Sequence, residues 1–248
     1  SIMPGNLYLD VGNTRIKWRW VLPDQILSGV QEYLVEAPSL DSLCLDVLNP
    51  QKVWVSCVAG EYLCQEISRL FKKRWGLTAQ FALSGKSWGN LINGYTIPES
   101  LGVDRWLALV AASDICSGDC VVVDARTVIS CDLLLNSGLY SGGMVIPGLQ
   151  ILAGVFENRV PHLGVIENFD AEFPGTSTKQ AIALGVSMST LGSINYFVTR
   201  ASEMMDKQPR ILITGGDAQW VSKKLEFQST CFENLVLDGL ELYGRSVA

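Results

Sequence analysis

Hydrophobic and polar positions along the chain fall into two patterns, short β-type apolar runs and longer stretches with helical spacing. Two of the β-type runs are near copies of one device: Leu7-Tyr-Leu-Asp10 leads into Val-Gly-Asn-Thr14, and Val121-Val-Val-Asp124 leads into Ala-Arg-Thr127. Each run ends in Asp, passes through a small turn ending in Thr and is followed by a second β-type run, the pattern of a hairpin. Between the copies, Val53 to Val58 reads as a buried strand, and Glu61 to Trp75 as a helix with Leu63, Ile67, Leu70 and Phe71 on one face. Gln80 to Leu83 is β-like. The stretch from Ser84 to Ser100, rich in Gly, Asn, Ser and Pro, reads as an irregular loop, and Gly102 to Ile115 as a helix with Trp106, Leu109, Val110 and Ser113 at helical spacing. The second copy opens the same plan again. A hairpin from Cys120 to Leu135 is followed by a glycine turn at Gly142 and Gly143, a helix after Pro147 and a long helix from Thr178 to about Arg200. The strand Arg210 to Thr214, a Gly-Gly-Asp turn and another helix complete it. Hairpin first, helices and strands after, twice over, predicts a mixed α/β architecture. Composition breaks at Ser117-Gly118-Asp119, which divides residues 1–117 from 118–248 as two domains.

Composition narrows the function classes. A chain of 248 residues with 48% hydrophobic content can bury a substantial core. No uninterrupted apolar run approaches the ~20 residues of a membrane helix, and no signal-peptide pattern opens the chain, so the expectation is a cytoplasmic protein with no membrane partner. Ser1 and Ile2 ahead of Met3 read as an added opening and are left out of the motif argument. A net charge of −6 opposes the basic footprint of a nucleic-acid binder, so no nucleic-acid partner is expected. The seven cysteines are scattered and odd in number, and His162 is the single histidine. Neither a disulfide framework nor a four-ligand zinc site is expected, and the thiols read as buried or incidental.

The candidate chemistry sits in short motifs. In Asp10-Val-Gly-Asn-Thr-Arg-Ile-Lys17 an acid, a glycine turn, two short hydrogen-bonding side chains and a lysine fall within eight residues. Asp10 can hold Mg²⁺ or order a metal-bound water, while Gly12, Asn13, Thr14 and Lys17 can face phosphate oxygens; an ordinary hairpin turn would also use Gly-Asn-Thr. Asp104 and Arg105 follow Gly102 and Val103 at the start of an apolar helix, with Tyr95 in the loop before them. A carboxylate there can accept a hydroxyl proton and an Arg can fork onto an anionic substrate, or the two are a helix-start acid and its solvated neighbour. Asp124 and Asp132 bracket the second turn, where facing acids could coordinate a cation and Thr127 could reach a phosphate. Thr178 opens the long helix and can meet a ligand with its hydroxyl, although Ser177 or Thr178 serves equally as an N-cap. Thr214-Gly-Gly-Asp-Ala218 is either a backbone approach to a nucleotide or a plain strand-to-helix turn.

Six motifs in this order, Asp10 to Trp18, Leu101 to Arg105, Asp124 to Asp132, Gly142 to Gly148, Ser177 to Gly185 and Thr214 to Ala218, resemble the type III pantothenate kinases over nearly the whole chain from Leu7 to about Asp238. The resemblance implies two ribonuclease-H-like (actin-like ATPase) domains, each a mixed sheet with flanking helices, with the nucleotide between them. It implies a homodimer that phosphorylates the pantothenate hydroxyl with ATP, Mg²⁺ and a monovalent cation, K⁺ or NH₄⁺, at the first step of coenzyme A synthesis. By matched position, Asp10, Gly12, Asn13, Thr14, Lys17 and Thr127 are implied to meet ATP, with Asp10 near the catalytic metal. Asp104 matches the general base; Tyr95, Gly102, Val103, Asp104, Arg105 and Thr178 match the pantothenate site; and Asp124 matches the monovalent-cation ligand. The departures cluster in the second hairpin, where the family pattern Asp-x-Gly-Thr-Ala-x-Thr-x-Asp meets Arg126, Val128 and Ser130 in place of Gly, Ala and Thr. A guanidinium there can bind phosphate or occupy the cation's place. Two rivals stay open at this level: a nucleotide-binding regulatory accessory homologue with little or no kinase activity because of Arg126, and a sugar or acetate kinase of the same superfamily.

Overall fold

The computed structural model describes residues 5–33 and 39–247, so the Ser1-Ile2-Met3 opening lies outside the described residues. The chain divides into two compact units, one of residues up to Ile115 together with those from Asn234, the other Cys116–Glu233. In the first, β1 (Asn6–Val11), β2 (Arg15–Val21) and β3 (Ile26–Glu32) form an antiparallel meander. β4 (Val53–Cys57), α1 (Glu61–Trp75) and β5 (Gln80–Phe81) follow, with β4 parallel to β1 and β5 parallel to β4, giving the order β3-β2-β1-β4-β5. Period-2 alternation sends Leu7, Leu9 and Val11 to the face covered by α1, where Leu63, Ile67 and Phe71 complete the core. The stretch expected as an irregular loop holds a small hairpin, β6 (Ser87–Trp88) and β7 (Leu91–Asn93), before α2 (Val103–Ile115).

The second unit repeats this plan. β8 (Cys120–Ala125), β9 (Val128–Leu134) and β10 (Leu139–Pro147) are antiparallel neighbours. α3 (Leu149–Arg159) and α4 (Thr178–Met205) lead to β11 (Arg210–Thr214), α5 (Ala218–Lys224) and β12 (Thr230–Cys231), with β11 parallel to β8 and β12 parallel to β11. These strands run β12-β11-β8-β9-β10, the order of the first sheet with each strand in the same role. Gly142 and Gly143 are not a turn, as expected, but lie inside β10 opposite Leu133 and Asp132. The register shifts between Tyr140 and Gly142, and a φ of 113° at Gly142 marks the bulge that lets the strand continue. By length and composition α4 is apolar enough to cross a membrane. Its Ala183, Val186, Thr190, Ile194, Val198 and Ala201 nevertheless recur every three or four residues and are buried within the unit.

The chain's last helix, α6 (Leu235–Val247), belongs with the first unit, not with the expected 118–248 domain. Arg19 on β2 donates to Asp238 (2.7 Å) and Glu241 (3.1 Å) of α6, and Tyr243 meets the Trp54 ring edge-on at 5.9 Å. Gly239 lies against the Leu107 backbone of α2, so α2 and α6 pack together on the sheet face opposite α1, the face that Arg19 and Trp54 share. Cys57, ending β4, is disulfide-bonded to Cys64 in α1, whereas the scattered cysteines had suggested no pairing.

The α2–α6 contact depends on the missing side chain at Gly239. A Cβ there would overlap the Leu107 carbonyl. Gly239→Ala is expected to destabilise by about 1–3 kcal/mol. Thermal melts of the variant and the wild-type protein check this; equal melting temperatures would show that the contact does not confine Gly239.

Candidate active site

The first turn is built by the β1–β2 hairpin. Asp10 and Lys17 are register partners across the hairpin, and Asp10 is paired with Ser56 of β4 on its other side. Side chains at paired positions share a face, so Lys17, Asp10 and Ser56 form a polar row across three central strands, on the face that carries α2 and α6. Asp10 is 4% exposed and Ser56 is fully buried, its Oγ without a hydrogen-bond partner among the described residues. The Gly12 amide donates to the Arg15 carbonyl (2.9 Å) to close the turn, leaving Asn13 and Thr14 exposed. Tyr33, just after β3, brackets the turn: its amide donates to Thr14 O at 3.1 Å and its hydroxyl donates to Gly12 O. Burial pushes the Tyr33 phenol up from its usual value, which keeps that donor proton in place. Sequence reading missed both Ser56 and Tyr33; an aromatic 19 to 21 positions beyond the carbonyls it engages leaves no local signal.

Tyr95 and the start of α2 form a second cluster in the same unit. Buried Asn93 donates to Gly85 O (3.0 Å) and Pro98 O (3.1 Å) and accepts from the Tyr95 amide (3.0 Å), so one side chain ties the loop together. Ser84 donates to Leu101 O at 2.7 Å, fixing the approach to Gly102. Arg105 donates to the Tyr95 hydroxyl at 2.9 Å with its guanidinium carbon 5.7 Å from the ring centroid, so it is oriented by the loop and is no mere solvated neighbour. The Asp104 carboxylate accepts from the Arg105 amide at 2.8 Å, and a Cβ on Gly102 would meet its Oδ1 at 3.0 Å. Glycine at 102 therefore leaves room for the acid.

The second turn differs from the first in length and charge. Asp124 pairs with Ser130 where Asp10 pairs with Lys17, so the β8–β9 turn is one residue shorter. Counted back from the first strand pair, Thr127 stands where Thr14 does. Asp124 is 4% exposed, and the Arg126 guanidinium folds back onto it, Nη2 to Oδ2 2.8 Å. The turn is clamped from two sides: the Gly148 amide, ahead of α3, donates to Thr127 O (2.9 Å), and the Asp217 amide, ahead of α5, to Ala125 O (3.0 Å). A Cβ on Gly148 or Gly215 would run into those backbone segments, which gives the Gly142-to-Gly148 and Thr214-to-Ala218 motifs a physical reason. Asp132 is a diagonal neighbour of Asp124 across the hairpin and accepts from the Tyr140 hydroxyl at 2.7 Å. On α4, Ser177 is the N-cap, accepting from the Gln180 amide, so Thr178 is left as an exposed first-turn hydroxyl. The structure thus gathers Asp10, Gly12, Asn13, Thr14 and Lys17 at one turn and Tyr95, Gly102, Val103, Asp104 and Arg105 at another, both in the first unit. Asp124 and Thr127 meet at the turn of the second unit, which also carries Thr178.

Known proteins resemble this chain in sequence and in fold. The profile of the type III pantothenate kinase family matches residues 6–200. A type III pantothenate kinase of Cellvibrio japonicus is 31% identical over 245 residues, covering 96% of each chain. Among solved structures, a Baf family transcriptional activator from Campylobacter jejuni aligns with a TM-score of 0.59 at 21% identity, covering 97% of this chain and 98% of that one. An activator of 2-hydroxyisocaproyl-CoA dehydratase from Clostridium difficile, with bound ADPNP, aligns with a TM-score of 0.53 at 14% identity, covering 98% and 95%. These structural likenesses establish the shared fold.

Two substitutions test the turn clamps. Gly215 has a φ of 102° and abuts Ala125, so Gly215→Ala is expected to cost about 2–4 kcal/mol of stability from backbone strain and overlap together. Tyr33→Phe removes one donor to the first turn and is expected to weaken ATP binding about 3- to 10-fold at little cost to folding. Calorimetric nucleotide titration checks the second; unchanged affinity would remove Tyr33 from the site.

Proposed function

The chain belongs to the type III pantothenate kinase family, and we propose that it transfers the γ-phosphoryl group of ATP to the pantothenate hydroxyl, the first step of coenzyme A synthesis, with Asp104 as general base. The observation that carries the reading is the pairing of a buried-acid phosphate turn at Asp10 with an oriented Asp104–Arg105–Tyr95 cluster in one unit. Gly12, Asn13, Thr14 and Lys17 meet the phosphates in this reading, and Thr127 makes a second nucleotide contact. Arg105, held by Tyr95, receives the pantothenate carboxylate, with Gly102 and Val103 beside it, and the exposed Thr178 hydroxyl of the second unit is a further candidate for substrate.

A divalent metal fits the first turn: the Lys17–Asp10–Ser56 row supplies a buried carboxylate next to an unsatisfied hydroxyl. When bound with ATP it offsets charge on the phosphate oxygens, and Asp10 is the residue that would hold it, through water. Asp104 accepts the hydroxyl proton as the oxygen forms its bond to phosphorus and the bond to the ADP oxygen breaks. Lys17 places fixed positive charge where the transferring group spreads its negative charge. The implied monovalent cation does not fit Asp124 in the same way, because Arg126 already engages that carboxylate.

We also propose a homodimer, supported by exposed apolar side chains on α3 and α4: Ile151, Val155 and Phe156 on the first, Met188 and Tyr196 on the second. The cytoplasm is the compartment that an ATP-driven step of coenzyme synthesis implies.

Three measurements check these readings. ADP release should depend on pantothenate in the presence of ATP and Mg²⁺, and its absence under any salt would overturn the kinase reading. Asp104→Asn is expected to lower kcat about 10²- to 10⁴-fold with the fold intact, while Arg105→Gln chiefly raises the KM for pantothenate. Sedimentation should give a dimer that Val155→Glu weakens or splits; a monomeric parent protein would refute the dimer.

A further inference from the structure

The second turn answers a question that the resemblance leaves open, namely where the positive charge at Asp124 comes from. A carboxylate this buried needs a compensating cation, and the chain supplies one two residues further on: Arg126 Nη2 lies 2.8 Å from Asp124 Oδ2. The Arg126 side chain is itself 22% exposed, so water screens the pair little. Its backbone is not free to drift. The carbonyls on either side of it, Ala125 O and Thr127 O, are held by the Asp217 and Gly148 amides, and its own amide donates to Val128 O at 3.3 Å. The shortened turn therefore delivers the guanidinium to the carboxylate as a built feature of the hairpin.

Asp124 offers one negative charge, and the next acid on that face, Asp132, is engaged by the Tyr140 hydroxyl at 2.7 Å. A second monovalent cation on the same carboxylate would sit within a few ångströms of the guanidinium, and repulsion between unit charges at ~4 Å in a partly buried site weakens its binding on the order of 10²- to 10³-fold. A guanidinium stays charged throughout the working pH range, is tethered and needs no binding from solution. We propose that Arg126 is a covalently attached substitute for the monovalent cation, so that this kinase turns over in the absence of K⁺ or NH₄⁺. In this arrangement Arg126 neutralises Asp124 and fixes the charge beside Thr127, the nucleotide contact of the second unit. The inference rests on the kinase reading above.

The experiment compares choline, Na⁺, NH₄⁺ and K⁺ salts at constant ionic strength, reading pantothenate-dependent ADP formation and, separately, ADP affinity by calorimetry. The wild-type protein is expected to change less than about twofold in either quantity between choline and K⁺. Arg126→Gly is expected to lose about 10- to 100-fold in choline, from the loss of one charge-assisted contact, and to regain activity and ADP affinity with K⁺, NH₄⁺ or added guanidinium. Arg126→Gln, which keeps bulk without charge, should lose activity and ADP affinity in choline too, and decides the matter if the glycine variant does not fold. Wild-type ADP affinity or turnover that rises tenfold or more with K⁺ would overturn the inference, as would an Arg126→Gln protein indistinguishable from wild type in choline. If no kinase activity is found in any salt, the kinase reading fails alone, and the ADP titrations still decide whether Arg126 replaces the cation.

Discussion

A carboxylate buried at the end of a central strand has to be met by positive charge or by hydrogen-bond donors, because taking that ion out of water alone costs more than a domain of this size can absorb. Both units are organised around this constraint. Asp10 and Asp124 occupy the same position in equivalent strands and have equal exposure, and each is followed at once by a tight turn. The turns in turn depend on backbone carbonyls being tied up from elsewhere: by Tyr33 in the first unit, by Gly148 and Asp217 in the second. Removing a clamp would leave the strand core intact and loosen the turn that follows each acid.

The strands and helices that sequence pattern revealed are those whose side chains record their burial. Trp18 and Trp20 alternate with partly buried positions along β2, and Leu63, Ile67 and Phe71 of α1 are all buried as their spacing requires. β10 escaped because Gly142 and Gly143 carry no side chain to alternate, while backbone pairing in a ladder is indifferent to side chains. α6 was invisible as a member of the first unit for a related reason. Its Leu235, Val236, Leu237 and Leu240 fit any apolar groove, and its destination is set by Arg19 and by the gap at Gly239, over 200 and over 100 residues distant from their contacts. Pairing of Cys57 with Cys64 likewise needed the strand-to-helix turn that brings the two together.

The candidate site was legible where function demands unusual residue types close together. Asp10 through Lys17 and Gly102 through Arg105 carry their chemistry in fewer than nine positions, so local sequence sufficed to propose them. What local sequence could not do was choose between a role and an ordinary structural use. Third residues bear on that choice: Tyr95 orients Arg105, and Ser177 takes the N-cap, which leaves the Thr178 hydroxyl exposed. Ser56 and Asn93 had no chance of notice, being single polar residues whose meaning comes only from the strand and loop beside them.

Duplication explains why the two turns look alike, and electroneutrality explains why they need not stay alike. In the first, the acid faces a lysine across the hairpin and a buried serine beside it. In the second, shortening the turn by one residue and placing an arginine within it puts the compensating charge in the chain itself. A tethered cation has no binding equilibrium, so its occupancy cannot vary with the salt outside. It also cannot leave, so the charge stays within the turn whose Thr127 carbonyl the Gly148 amide holds. The arginine within the second turn thus keeps the buried Asp124 paired with positive charge without any ion from solution.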